Sequence, residues 1–325
     1  MAHSYFNDKE VAVLGGTGLI GMQLVAQLAQ LGARVNIVAR HPATFQLPQA
    51  ASFRPADILD ARSCAEAIRG ADTVFNLAVY GGGILRNTRE SAHILTTNLL
   101  MQTHVIEAVR ECEVERYLFP SSVYAYPGKV EIMKEDLAWE GPPDKTHEGF
   151  GWAKRIGEMQ CRLYAEEYGI KIAIVRPTNT YGPMDNFDLK SSHVVPALVR
   201  KAVERQDPYV VWGSGAARRE LIYSGDVARG MILALDKYAV ADPVNLGSGQ
   251  EISIADLTGL ILELAGHTPS KIVFDESRPA GQMRRVCDTR KASEVLGFTA
   301  EIRLKTGLGK TIDWFKQESK VAARA

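Results

Sequence analysis

Glu10–Gly21, EVAVLGGTGLIG, is the stretch on which the rest of the chain is organised. Val11, Val13 and Leu14 make a short apolar run of the kind that becomes a strand buried on both faces. The run passes into Gly15, Gly18 and Gly21, the first, fourth and seventh positions of a GxxGxxG loop. Leu19–Leu31 follows with apolar residues at helical spacing, and Gly32 is its stop. The first glycine permits a tight strand-to-helix turn, the second lets backbone approach a pyrophosphate, and the third lets the helix lie close to the sheet. With Thr17, Leu19 and Ile20 completing it, the loop is expected to bind a dinucleotide. The competing interpretation is a βα turn of purely structural purpose.

Beyond the loop, Arg34–Ala39, Ser52–Arg54, Asp72–Ala78, Arg116–Pro120 and Lys171–Arg176 read as strands. Ala61–Arg69, Thr88–Cys112 and Gly151–Tyr168 read as helices between them. This alternation predicts an α/β fold, a Rossmann-type doubly wound parallel sheet. From Thr178 onward, Gly182, Pro183, Pro196, Pro208, Gly213 and Gly215 interrupt the pattern, which places a smaller C-terminal α/β substrate lobe there. Val244–Leu246 is expected to return to the sheet, with Ile254–Ala265 and Thr306–Phe315 as outer helices. The expected division is a nucleotide-binding domain over 1–178 plus about 222–248, and a substrate lobe over 179–221 and 249–325.

The 325 residues hold 38 Lys plus Arg against 38 Asp plus Glu, so no net basic field exists to hold nucleic acid or an anionic membrane. Met1–Glu10 lacks the pattern of a signal peptide, and no apolar run approaches the roughly 20 residues that span a bilayer. A cytoplasmic location is expected. The four cysteines, Cys64, Cys112, Cys161 and Cys287, are widely spaced, which suggests neither a disulfide framework nor a metal site. The second strand ends in Ala39, Arg40 and His41, with no carboxylate to bind a ribose 2′-hydroxyl. A guanidinium there suits a 2′-phosphate, so NADP is expected over NAD, unless Arg40 is only a solvated strand end. Asp57, after the third strand, is placed either to accept from the adenine amino group or to cap a turn.

Strand Arg116–Pro120 runs into PSSVYAYPG, Pro120–Gly128, and a later helix opens with HEGFGWAK, His147–Lys154. With the glycine loop, these segments resemble the extended short-chain dehydrogenase/reductases. That family sets a Ser or Thr after the fifth strand and a Tyr-x-x-x-Lys pair on the next helix. Residues four apart share a helix face, so the ammonium lies near the phenol and lowers its pKa, and the phenol exchanges a proton with the substrate oxygen. The resemblance puts Ser122 and Lys154 in those roles and implies a cofactor site that also takes in Ile58, Leu77, Ala78, Pro177 and Asn179. The tyrosine position is Phe150, whose ring carries no transferable proton. Phe150 is a substitution made to trap a substrate complex, a natural variant in which Tyr124, Tyr126 or His193 takes over, or the mark of a binding protein.

RPTNTYGPMDNF (Arg176–Phe187), SSHVVPALVRKAVE, VVWGSGAARREL (Val210–Leu221), NLGSG (Asn245–Gly249), FNLAVYGGGI (Phe75–Ile84) and VFDESRPAGQMRR (Val273–Arg285) extend the resemblance over nearly the whole chain. They are similar to the branch of the family that epimerises and reduces GDP-4-keto-6-deoxy sugars. This implies a GDP-linked nucleotide sugar, a homodimer through helices Thr88–Cys112 and Gly151–Tyr168, and a substrate site including Ser122, Val123, Asn179, His193, Val194, Trp212, Arg219 and Arg284. Asn179 can hydrogen-bond sugar or base. His193 follows two serines able to cap a helix start and is placed to donate a proton, although alone it would read as a capping or packing histidine. Arg219 with Arg284 or Arg285 can clamp a diphosphate, and at least two of Arg218, Arg219, Arg284 and Arg285 belong to a solvated face. Aligning on Tyr126-Pro127 puts Tyr124 where that branch has its epimerising cysteine. Reduction, with or without one epimerised centre, therefore becomes the expected activity, and Tyr124 is either a pocket wall or an acid. An NAD-retaining C4 epimerase and a non-catalytic sugar-nucleotide binder stay as alternatives.

Overall fold

The computed structural model describes residues 5–42, 48–278 and 281–322, so Pro279 and Ala280 of the last similar block and the outermost ends of the chain lie outside the described residues. Its centre is a seven-stranded parallel sheet of β1 (Glu10–Leu14), β2 (Arg34–Ala39), β3 (Ala51–Pro55), β4 (Thr73–Asn76), β5 (Arg116–Pro120), β6 (Lys171–Pro177) and β7 (Val244–Leu246). The spatial order is β7-β6-β5-β4-β1-β2-β3. In β1, Val11 pairs with Val35 of β2 on one side and Thr73 of β4 on the other.

Successive side chains of a strand point to opposite faces, and here both faces are covered. Val11 and Val13 face α1 (Leu19–Gln30), burying Leu24, Val25 and Leu28 with Val227, Met231 and Leu235. Leu14 faces the other way, into a core with Cys64 and Ile68 of α2 (Ala61–Ile68) and with Met101 and Val105. Each large apolar side chain so buried contributes on the order of 1.5–3 kcal/mol, so the sheet is held from both sides.

One expected element divides. Instead of one helix over Thr88–Cys112, the chain forms α3 (Ile84–Arg89) and α4 (Ser91–Glu111), broken at Glu90, whose φ and ψ of −111° and 25° leave the helical region. The Glu90 carboxylate accepts from Arg86 Nε at 3.0 Å and Tyr80 Oη at 2.9 Å, contacts that composition could not reveal. Helix α5 (Glu148–Tyr168) packs beside α4 and ends at Gly169 in the left-handed conformation.

The second lobe holds strands that the sequence pattern did not disclose. Asn179–Tyr181 pairs in parallel with Arg218–Tyr223, which pairs antiparallel with Glu251–Ser253. Tyr209–Trp212 pairs with Ile272–Asp275. These short strands, α6 (Val194–Val203), α8 (Ile254–Ala265) and the helix Leu304–Ala322 enclose a third core of Leu198, Val199, Tyr209, Leu257, Ile261 and Leu308. The helix α7 (Ser224–Lys237) returns the chain to the main sheet. Among the described residues no helix is long and apolar enough to cross a membrane.

Candidate active site

A cavity of about 820 Å³ runs from the glycine loop, past the carboxyl ends of β4, β5 and β6, into the second lobe. This is where a doubly wound sheet is open to a ligand. Gly15 has φ +74° and approaches β4 so closely that a Cβ there would lie 2.9 Å from the Ala78 nitrogen. A Cβ on Gly21 would fall 2.6 Å from the Gly16 Cα, so only glycine lets α1 sit against the turn. A Cβ on Gly18 would meet the Gly15 carbonyl oxygen at an ordinary 3.6 Å, and the first turn of α1 carries neither a capping side chain nor a carboxylate. Its free N–H groups fit a dinucleotide diphosphate.

Gly15, Gly18, Leu19, Ile20, Gly21, Leu77 and Pro177 line the cavity. Thr17, Arg40, Asp57, Ile58 and Ala78 do not. Arg40 is exposed at the end of β2, without a hydrogen-bond or ion-pair partner among the described residues. Asp57 Oδ1 accepts from the Leu59 nitrogen at 3.0 Å, a turn contact. Ile58 is buried in the core with Cys64, and Ala78 meets the loop through its backbone against Gly15.

Ser122 follows β5 in an extended conformation, and its Oγ accepts from the Tyr124 nitrogen at 3.2 Å. That bond leaves the hydroxyl proton for a substrate oxygen. Lys154, buried on α5, donates from Nζ to the Pro120 carbonyl at 2.7 Å and lies 5.5 Å from the Phe150 ring centre. Burial lowers its pKa to about 8, with Glu158 pulling the other way. Phe150, one turn earlier on α5, occupies the cavity wall. Tyr126 is not available to replace a tyrosine at 150: it is fully buried, and its hydroxyl donates to Asn245 Oδ1 at 2.7 Å and accepts from Arg176 Nη1 at 2.9 Å.

Beneath this loop lies a buried ion pair. Arg176 donates to both Glu158 oxygens, at 2.8 and 2.7 Å, and Ser121 Oγ donates to the same carboxylate. The pair ties β6 to α5 and fixes the residue preceding Ser122.

Tyr124 projects into the cavity between two partners. Its ring stacks on His147 with centres 3.8 Å apart, and the Arg285 guanidinium lies 4.3 Å from its ring centre. Phe150 meets it edge-on at 6.1 Å. Arg285, rather than Arg284, is the basic residue at this place: Arg284 is drawn outside the cavity by Glu251, at 2.9 and 2.5 Å. Arg285 is buried, donates to the Val123 carbonyl at 3.2 Å, and has no carboxylate within ion-pair distance among the described residues. Arg219 lines the same cavity. Burial lowers the pKa of both guanidiniums, and the like charge of Arg285 also lowers that of Arg219 and of His147. An anion between them would relieve both effects.

His193 stands at the start of α6 and lines the cavity with its side chain exposed, and partial desolvation by the surrounding walls lowers its pKa. The preceding serines do not cap the helix: Ser191 Oγ donates to Asp188 at 2.8 Å, and the Ser192 hydroxyl is buried without a partner. Asn179 Nδ2 donates to the Glu220 carbonyl at 3.0 Å; Asn179, Val194 and Trp212 line the cavity, as does Val123 through the buried turn after Ser122. Sequence reasoning passed over His147, which had no periodic partner. Its one signal was its place three residues before position 150, on the same helix face.

The chain belongs to the NAD dependent epimerase/dehydratase family, whose pattern matches residues 11–247. It is 35% identical over 320 residues to "Probable GDP-L-fucose synthase 1" of Oryza sativa subsp. japonica, covering 96% of this chain and 94% of that protein. It is 30% identical to the GDP-L-fucose synthase of Escherichia coli (strain K12), with 95% and 97% covered. Among solved structures, an NADP-bound GDP-L-fucose synthetase from Naegleria fowleri superposes with a TM-score of 0.83 at 25% identity, covering 98% of this chain and 95% of that one.

Proposed function

We propose that this chain is an NADP-dependent 4-ketoreductase of a nucleoside-diphosphate sugar, a GDP-4-keto-6-deoxy sugar in particular. The observation that carries this reading is the single cavity joining the glycine loop, the Ser122–Lys154 pair and the Arg219–Arg285 cations. A dinucleotide, a carbonyl and a diphosphate are the three chemistries those groups serve, in that order along the cleft. The GDP-L-fucose synthases to which the chain is similar support the guanine nucleotide and the NADP. The exposed Arg40 supports the 2′-phosphate.

NADPH, when bound, supplies the hydride. Ser122 donates a hydrogen bond to the ketone oxygen and the Lys154 ammonium stabilises the negative charge that develops there, while position 150 supplies the proton when it is tyrosine. Arg219 and Arg285 hold the diphosphate, so the sugar is carried to the carboxyl end of β5. His193 is the group open to the cavity for proton exchange beside the ketone, while Tyr124 forms the wall opposite Phe150. Exposed Leu100 on α4 with Met159 and Leu163 on α5 supports a homodimer through these two helices.

Phe150 favours a second reading, a sugar-nucleotide binder with no turnover of its own. The test is loss of reduced-nicotinamide absorbance with GDP-4-keto-6-deoxymannose, comparing this chain with Phe150→Tyr. The reductase reading expects the tyrosine form to be faster by at least about 10²-fold, the usual worth of a positioned general acid. Equal silence of both forms, with the sugar nucleotide still bound, would leave the binder.

A further inference from the structure

His147 sits at the start of α5, one turn before Phe150, and is a cavity-lining group to which the mechanism above gives no work. Its environment dictates its protonation in detail. Thr146 Oγ1 donates to Asp144 Oδ1, and that carboxylate also accepts the Thr146 nitrogen at 2.8 Å and Gln282 Nε2 at 3.0 Å. Burial works against the Asp144 charge, but these hydrogen bonds hold its pKa below the usual range, so it remains an acceptor only. The single hydroxyl proton of Thr146 is thus committed to Asp144. Its oxygen, 2.9 Å from His147 Nδ1, must accept there, which places the imidazole proton on Nδ1. Burial, reinforced by Arg285 and His193, lowers the His147 pKa to about 3, so the ring stays neutral. A neutral ring protonated on Nδ1 presents Nε2 as an acceptor that cannot donate. Nε2 has no hydrogen-bond partner among the described residues, and stacking on Tyr124 fixes the plane of the ring.

We propose that His147 is a specificity residue of this cavity: Nε2 accepts a hydrogen bond from a hydroxyl of the bound sugar, close to the reacting carbonyl, and disfavours a sugar that presents only an acceptor there. This rests on the nucleotide-sugar reading given above. The position follows from the neighbours, since the ring is one helical turn from Phe150 and stacks on the residue two beyond Ser122. The discrimination follows from the locked tautomer. An acceptor facing Nε2 would leave two lone pairs opposed in a buried site, and such mismatches are penalised more heavily than a made hydrogen bond is rewarded.

The test uses GDP-mannose and GDP as probes, titrated calorimetrically into the full chain with NADP⁺ present. His147→Phe keeps a flat ring against Tyr124 and removes Nε2; it is expected to weaken GDP-mannose about tenfold, the scale of one hydrogen bond in a buried site, while leaving GDP unchanged. Thr146→Val, which releases the tautomer without touching the ring, is expected to weaken GDP-mannose less and GDP not at all. In the unsubstituted chain labelled with ¹⁵N-histidine, the free protein should show His147 protonated on Nδ1, and the Nε2 resonance should move with GDP-mannose and not with GDP. A proton found on Nε2, an Nε2 resonance unmoved by GDP-mannose that binds, or equal weakening of GDP and GDP-mannose by His147→Phe would overturn the assignment. Failure of both probes to bind the unsubstituted chain would instead overturn the nucleotide-sugar reading, and this assignment with it.

Discussion

Lys154 owes its unusual chemistry to where α5 places it. Among the described residues its ammonium has one acceptor, the Pro120 carbonyl, and two aromatic rings nearby, Phe119 at 5.0 Å and Phe150 at 5.5 Å. Burial disfavours the charge, so the group is fully protonated only below its lowered pKa of about 8 and loses its proton as pH rises through that value. If the ammonium is what stabilises the developing oxyanion, single-turnover NADPH oxidation should fall by about tenfold per pH unit above 8. A rate flat to pH 10 would remove Lys154 from that role. Tyr124 and Arg285 show why individual residues were only partly legible. The motif spacing located Ser122, Lys154 and Phe150, whose geometry is set by one helix and one strand end. The choice between neighbouring Arg284 and Arg285 depends on Glu251, which lies on a different strand and was invisible to local pattern.

At the scale of elements, the join between β6 and α5 matters most. Arg176 and Glu158 are both nearly free of solvent, and each satisfies the other through two hydrogen bonds. Removing one partner would strand the other charge in the interior. Glu158→Gln is therefore expected to cost about 3–5 kcal/mol, read as a lower midpoint in urea unfolding, and more than Glu158→Gln with Arg176→Met together. If the double variant proved the less stable, the pair would not be acting as a compensated unit. Strands Arg34–Ala39, Arg116–Pro120 and Val244–Leu246 lie where the apolar runs placed them, because strands buried on both faces announce themselves by composition alone. The break at Glu90 and the short strands of the second lobe were silent in the sequence. The first involves contacts of Glu90 with Arg86 and Tyr80 that helical periodicity does not display, and the second are too short and too evenly mixed to show a period.

For the whole molecule, three apolar side chains on the outer faces of α4 and α5 are left uncovered by the described residues. Leu100, Met159 and Leu163 are each exposed by 42–47% of their surface. The proposed homodimer would bury them, and a charge at their centre would be costly. Sedimentation should give twice the 35.6 kDa chain mass for the unsubstituted protein and the chain mass for Leu163→Glu. A monomer in both cases would remove the dimer.

The return of the chain to β7 has a further meaning when the protein is considered as something made from one end. Strand β6 finds its outer neighbour only after the segment from Thr178 to Pro243 has been synthesised, because Val244–Leu246 pairs with Val175–Pro177. Until then, one side of the nascent sheet offers an unsatisfied row of amides and carbonyls to whatever strand comes near. The intervening segment must gather into part of a different lobe while that edge waits. Vectorial synthesis therefore leaves the cofactor-binding half open-sided, until Val244–Leu246 arrives, at the strand whose end, Pro177, lines the active cavity.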